Sequence, residues 1–354
     1  MHARDRGGAD RRRGPRGRAH GCGGPVVSGS ADTLDLASNL HPHGPHSEVV
    51  EAARRAEVGR YPPETSTLAA EVALSIGVSR EQVLITAGAT EAVHLALRAL
   101  LGPGDACTVF TPTFGEYERA ALGAGFTVER HEAFPPDFAP PPDDPPRALL
   151  TVVANPSSPA GVYLEESVIR HVLRVARGIV LVDAVYEPFV EDAWDANKLV
   201  RDGLPVLVIN SFTKLHAIPG LRVGYVTGPA PLIGSLAALQ PTWAVSTPAI
   251  EAAHAALPLD AQRREVVREV AETREAMHEF FAVRGIAVSP ARANFVLARA
   301  GDAGALRAAL LRRGIEVRDC TSFGLPDWVR IATPPAAELP RLLGALGEAL
   351  EELA

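Results

Sequence analysis

The chain has 354 residues, 47% hydrophobic and 22% charged, with a net charge of −7. That leaves room for one large domain or two ordinary ones, and it excludes a disulfide-stapled miniprotein, a collagen-like chain and a predominantly disordered one. Seven arginines crowd Met1 to Arg18 against only Asp5 and Asp10, and the remainder holds 28 basic and 40 acidic residues, or −12, so the body has no basic character for nucleic acid.

Residues 1–30 are Gly-, Arg- and Pro-rich without apolar periodicity and read as a flexible arm, followed by a short segment at 31–46. Helical periods then predict helices at Ser47 to Val58, Thr67 to Ile76, Thr90 to Leu101 and Tyr117 to Gly123. Apolar strands of four to six residues are predicted at Gln82 to Ile85, Cys107 to Phe110, Ala148 to Val153, Ile179 to Val182 and Val206 to Asn210. Short apolar strands separated by helices imply an α/β fold, a mostly parallel sheet covered on both faces. Pro135 to Pro146 holds seven prolines and is expected to be a surface connection.

After about residue 235 the pattern changes to a long helix, Asp260 to Arg284, and a strand at Asn294 to Ala298. A helix at Ala303 to Arg313, strands at Ile315 to Arg318 and Trp328 to Ile331, and a last helix from Ala336 complete it. A large domain over 47–235 and a smaller α+β domain over 236–354 are therefore expected.

Cys22, Cys107 and Cys320 are odd in number and form no CxxC, and no apolar run approaches the roughly 18 to 20 residues of a membrane span. The Arg-rich start also lacks the apolar segment of a secretory signal, so a cytoplasmic protein without membrane or nucleic-acid partners is expected. His41, His43 and His46 lie in a Pro- and Gly-rich stretch without helical spacing, and no metal site is expected there.

Of the 35 basic residues only Lys198 and Lys214 are lysines, so chemistry that needs an ε-amino group has two sources. Lys214 follows an apolar strand, beside the hydroxyls of Ser211 and Thr213 and eight residues before Arg222, a setting suited to a Schiff-base lysine whose cofactor carries a phosphate. In Ser211-Phe212-Thr213-Lys214 and Ala217-Ile218-Pro219-Gly220-Leu221-Arg222-Val223-Gly224-Tyr225 the sequence resembles the fold type I pyridoxal-phosphate enzymes of the aminotransferase class I/II family, from about residue 31 to the C-terminus.

Thr86-Ala87-Gly88-Ala89-Thr90-Glu91 joins a strand to a helix, so the N–H groups around Gly88, Ala89 and Thr90 would face an anion, although alone it reads equally as a capped glycine turn. With Ser211 and Arg222 it would complete a phosphate cup. Asp183 closes an apolar strand, where an unpartnered carboxylate is costly and a helix cap is the plain alternative. The resemblance implies that Asp183 pairs with the pyridine nitrogen of pyridoxal phosphate, and that Tyr186 and Asn155, the latter in Asn155-Pro156-Ser157-Ser158-Pro159-Ala160-Gly161, contact the ring's phenolic oxygen. It further implies that Phe114, otherwise readable as core, stacks on the ring, and that Tyr61, otherwise a loop tyrosine, reaches the neighbouring site of a homodimer.

For the substrate, the resemblance implies Arg330 as holder of the carboxylate, with Arg318 beside it and Asn39 and Asn155 contributing; Arg318 could equally be a solvated arginine. Two enzymes within the group are most similar, histidinol-phosphate aminotransferase and threonine-phosphate decarboxylase. Leu36 to Pro42 resembles the decarboxylase's N-terminal substrate segment, with His41 in place of an asparagine. Transamination of an amino acid or amino-acid-derived amine is the expected reaction, decarboxylation of a phosphorylated amino acid the second reading and a non-catalytic effector-binding protein the third.

Overall fold

The computed structural model describes residues 33–138 and 146–354. The N-terminal arm and most of the proline-rich connection lie outside the described residues.

A short strand β1 (Leu34–Asp35) opens the described chain. Seven strands form the main sheet: β2 (Val83–Thr86), β3 (Ala106–Thr111), β4 (Thr127–Glu132), β5 (Leu150–Ala154), β6 (Ile179–Asp183), β7 (Val206–Ser211) and β8 (Gly224–Thr227). Their order is β2-β8-β7-β6-β5-β3-β4. All neighbouring pairs are parallel except those made by β8, which runs antiparallel to both β2 and β7. β5, β6 and β7 are buried along nearly their whole length, as continuous apolar runs in a sheet covered on both faces must be.

Two expectations needed extension. β4 (TVERHE) was not predicted, because an edge strand rich in charge gives neither an apolar run nor clean alternation. β8 was not predicted because it is only four residues long and its first two, Gly224 and Tyr225, close the Ser211 to Tyr225 motif. The helices Ser47–Arg55, Ser66–Ile76, Gly88–Leu100 and Glu116–Gly123 lie where periodicity placed them.

The C-terminal part carries β9 (Phe295–Arg299), β10 (Ile315–Glu316), β11 (Arg318–Asp319) and β12 (Trp328–Ala332), with β11-β12-β9 an antiparallel sheet. The single strand expected at Ile315 to Arg318 is divided: β10 pairs in parallel with β1, and β11 with β12. Leu36 joins the core of this part with Phe281, Leu306, Val329 and Leu342. The helix Thr247–Ala256 instead shares a core with Val49, Leu68 and Val72 beside the main sheet.

This architecture positions the site. β2, β3, β5, β6 and β7 all end on one sheet edge, where β8 begins, and the segment after β1 returns from the C-terminal part to that edge through a bond from His41 N–H to the Lys214 carbonyl at 3.0 Å. Ligand sites of open α/β sheets lie at such strand ends.

Candidate active site

After β2 the chain turns at Gly88, whose φ of +78° is left-handed, into the helix Gly88–Leu100. The turn is held by Glu91, whose carboxylate accepts from Ala87 N–H at 2.6 Å and from Gln240 at 3.0 Å. No side chain caps the helix, so its first N–H groups remain available. Against them lies Arg222: a Cβ on Gly88 would stand 2.8 Å from Nη2, and one on Gly224 would meet Ala89 N at 3.3 Å and the Asn210 carbonyl at 2.7 Å. The two glycines thus keep open a small cradle walled by N–H groups and a guanidinium. Among the described residues Arg222 donates only to the Pro219 carbonyl, at 3.2 Å, and no carboxylate lies within ion-pair distance of it. Ser211 ends β7 beside Gly224, and its hydroxyl accepts from Thr213 N–H at 3.1 Å.

Lys214 lies in the helical turn Phe212–Leu215, and its Nζ donates to the Ser38 carbonyl at 2.8 Å and stands 5.8 Å from the Tyr186 ring centre. Asp183, at the end of β6, is buried. Its Oδ1 accepts from Val185 N–H at 3.1 Å and its Oδ2 from the Tyr117 hydroxyl at 2.6 Å. Burial raises the Asp183 carboxyl above its ordinary value, opposed by these two donors and by the charge of Lys214. Tyr117 is held well above the usual phenol range, first by burial and then by Asp183, so the phenol is the donor.

Asn155 bonds at both ends of its amide to the backbone of Leu164, accepting at 2.7 Å and donating at 3.1 Å, which leaves one N–H free. Phe114 is 42% exposed and meets Tyr117 edge-on at 5.6 Å. Among the described residues Tyr61 forms no hydrogen bond or ring contact with this group; it is 75% exposed and stacks on Trp243 at 4.2 Å.

Arg330 is buried, donating from Nη1 to Ser158 Oγ at 2.9 Å and from Nη2 to the Ala37 carbonyl at 2.8 Å. With its amide oxygen turned toward the guanidinium, buried Asn39 accepts from Nε at 3.0 Å, and the same amide lies 3.5 Å from the Tyr186 hydroxyl. Arg318 is the cross-strand partner of Arg330 and bonds Ser322 Oγ at 2.8 Å. Among the described residues neither arginine has a carboxylate within ion-pair distance. Most of the sequence-predicted residues therefore meet in two linked groups, around Arg222 and around Lys214.

Sequence reasoning missed Tyr117, Glu91 and the Ser38 carbonyl. Only Tyr117 carried a signal, a hydroxyl in helical register with the apolar Ala120 and Ala121. Among the described residues no His/Cys/Asp/Glu cluster could hold a metal ion, and His43 is paired with Glu269 at 2.6 Å.

The model of the family "Aminotransferase class I and II" matches residues 31–346. A histidinol-phosphate aminotransferase of Halorubrum lacusprofundi is 33% identical, the match covering 91% of this chain and 90% of that protein. Histidinol-phosphate aminotransferase 1 of Thiobacillus denitrificans is 31% identical, over 90% of this chain and 86% of that protein. The solved structure of the histidinol-phosphate aminotransferase of Sinorhizobium meliloti in complex with pyridoxal-5'-phosphate has a TM-score of 0.80 at 22% identity, covering 91% of this chain and 92% of that one. The chain belongs to the class I and II aminotransferases. It is a pyridoxal-phosphate-dependent enzyme that transfers an amino group to or from an amino-acid-derived substrate.

Proposed function

We propose that the substrate of this aminotransferase carries an anionic group, a phosphate or a carboxylate, held by Arg330 with Arg318 beside it. The cross-strand arginine pair carries this reading: like charges directly opposite are unfavourable, and no described carboxylate lies within ion-pair distance of either. A phosphate in that place would make the substrate resemble histidinol phosphate, the substrate named for the relatives.

The residues fit the cofactor. Gly88, Ala89, Thr90, Ser211 and Arg222 would hold its phosphate, in the cradle that a Cβ on Gly88 or Gly224 would fill. Asp183, a buried acid whose charged neighbour is Lys214, would hold the ring nitrogen, with Tyr186 and the free N–H of Asn155 at the phenolic oxygen and Phe114 on the ring face. When bound, pyridoxal phosphate supplies an electron-withdrawing ring that acidifies the substrate's Cα–H. Lys214 Nζ would hold the cofactor until the substrate amine takes its place, and the freed amine would then carry the proton at Cα as general base and acid. Arg330 and Asn39 orient the substrate over that amine. A second copy of the chain would bring its Tyr61 to the phosphate, a reading supported by the exposure of Tyr61 within one protomer. A large cofactor-binding domain over 47–235 and a small one over 236–354 remain our division, with 31–46 as the substrate segment and the helix Thr247–Ala256 packed on the large domain. Among the described residues no helix is long and apolar enough to cross a membrane, and the buried free thiols Cys107 and Cys320 support a reducing, cytoplasmic setting.

The test compares histidinol phosphate, dephosphorylated histidinol and a panel of amino acids, each with a 2-oxo acid acceptor, following amino transfer and carbon dioxide separately. Amino transfer is expected for anion-bearing donors, with KM raised at least tenfold in Arg330→Ala. Equal use of histidinol would overturn the anion site, and carbon dioxide from a phosphorylated amino acid would replace transamination by decarboxylation.

A further inference from the structure

Tyr117 lies on the inner face of the helix Glu116–Gly123, in one core with Leu150, Val152 and Leu181, and is 2% exposed. Its ring does only what a phenylalanine would do. The hydroxyl is different: it is buried, and its partner is Asp183 Oδ2 at 2.6 Å. We infer that Tyr117 is a positioning residue, which orients the Asp183 carboxylate and keeps it ionised for the cofactor's ring nitrogen.

The inference rests on the assignment of Asp183 made above. One donor stands on each carboxylate oxygen, Val185 N–H on Oδ1 and Tyr117 O–H on Oδ2, so rotation of the carboxylate would break both bonds. Lone pairs remain on both oxygens for a further donor. Burial favours the neutral acid, whereas hydrogen bonds to the charged form oppose it. The other titratable groups facing this pair are Lys214, across the carboxylate, and Tyr186, beside the phenol. Loss of the Tyr117 hydroxyl leaves the backbone of Val185 and the charge of Lys214 as the opposing influences. The acid then takes up its proton at higher pH and pairs less well with a protonated pyridine.

The experiment titrates apoprotein with pyridoxal phosphate and with its 1-deaza analogue, in which CH replaces the ring nitrogen, across a pH series. Tyr117→Phe is expected to weaken pyridoxal phosphate about tenfold and the analogue by no more than about twofold. The pH at which affinity for pyridoxal phosphate falls away should move up by about one pH unit. In an Asp183→Asn background the same substitution should add nothing. Tyr117→Met, with a different volume and no donor, should repeat the pattern.

Equal weakening of both ligands would mean that Tyr117 only shapes the core, and an unchanged affinity for pyridoxal phosphate would mean that Asp183 is ionised without it; either result overturns the inference. If Asp183→Asn fails to distinguish the two ligands, the assignment of Asp183 falls and the inference with it. If Asp183→Asn distinguishes them and Tyr117→Phe does not, only the role of Tyr117 is lost.

Discussion

Gly88→Ala tests the phosphate cradle with one methyl group. At φ +78° a side chain costs about 1 to 2 kcal/mol relative to glycine, a loss that should appear directly in folding stability. The added Cβ would stand 2.8 Å from Arg222 Nη2 and 3.3 Å from Cζ, closer than carbon and nitrogen tolerate, so the guanidinium must move by several tenths of an ångström. The end of a flexible side chain moves at little cost to the fold, but it then leaves its place against the helix N-terminus. A hydrogen bond to a charged group contributes about 1.5 to 3 kcal/mol, so misplacing it should weaken a phosphate ligand roughly 10- to 150-fold. The assay titrates apoprotein with pyridoxal phosphate and with pyridoxal, which lacks the phosphate, alongside denaturant unfolding. Pyridoxal phosphate should lose at least about tenfold in affinity and pyridoxal less than about threefold. Gly88→Ala should add little to Arg222→Ala, because both remove one contact. If both ligands weaken equally, or if pyridoxal phosphate binds as before, the cradle does not hold the phosphate.

Lys214→Ala should abolish turnover and the borohydride-reducible attachment of cofactor. Lys198→Ala should leave both nearly intact, since Lys198 serves exposed ion pairs with Glu166 at 3.1 Å and Asp202 at 2.9 Å; a reduced peptide with cofactor on Lys198 would reverse the assignment. The Glu187 carboxyl is pushed from an ordinary 4.5 up to about 8, by burial first and Asp195 next. Its proton is held more tightly in the folded chain, so its stabilising contribution is complete below about pH 4.5 and lost as pH rises toward 8. Glu187→Gln should therefore be the more stable protein above pH 8, by about 1 to 2 kcal/mol, and denaturant unfolding that shows the same pH slope in both proteins would contradict this. Co-expressed in equal amounts, Lys214→Ala and Tyr61→Ala should recover about a quarter of wild-type activity through mixed dimers in which one site is intact. No recovery, with subunit exchange verified, would place Tyr61 in its own chain's site or in none.

Legibility in the sequence followed physical locality. β3, β5, β6 and β7 could be read because strands buried on both faces are mostly apolar, and each left a short apolar run, uninterrupted in β6 and at Val206 to Ile209 and broken by a single buried threonine in β3 and β5. The helix Glu166–Val175 was not predicted, although Val168, Ile169, Val172 and Leu173 recur at helical spacing along it. Val317 looks like the middle of one strand, yet β10 and β11 on either side pair with different sheets, a division that depends on β1 some 280 residues earlier. At the candidate site, counting lysines left Lys198 and Lys214, and the strand end beside two hydroxyls pointed to Lys214, as their places around strand ends pointed to Gly88 and Arg222. The bond between Tyr117 and Asp183 joins residues 66 apart, and it exists only once the helix has docked on the sheet. The acceptor for Lys214 is a backbone carbonyl, which every residue possesses and no sequence pattern marks.

That carbonyl also explains why the chain after β1 belongs to the site. Arg330 donates to the carbonyl of Ala37 and Lys214 to that of Ser38, so two consecutive peptide groups receive the two cations that the proposed chemistry needs. Asp35 fixes the turn that presents them, with Oδ1 accepting from the N–H groups of Ala37 and Ser38 and Oδ2 from the Ser38 hydroxyl at 2.5 Å. Pairing of β1 with β10, and of Leu36 with Ala332, ties the same segment to the C-terminal part. Carbonyls are neutral acceptors: they orient an arginine and a lysine without neutralising either charge, and an anion is the stronger acceptor for both. The cations are thus aimed before a ligand arrives, and ordering their long side chains, which otherwise opposes binding, is largely done in folding. The segment gains its place from Arg330 on the small sheet and Lys214 in the turn that follows β7 of the large one. A site assembled this way needs both sheets in register, which is why its geometry could be read only from the folded chain.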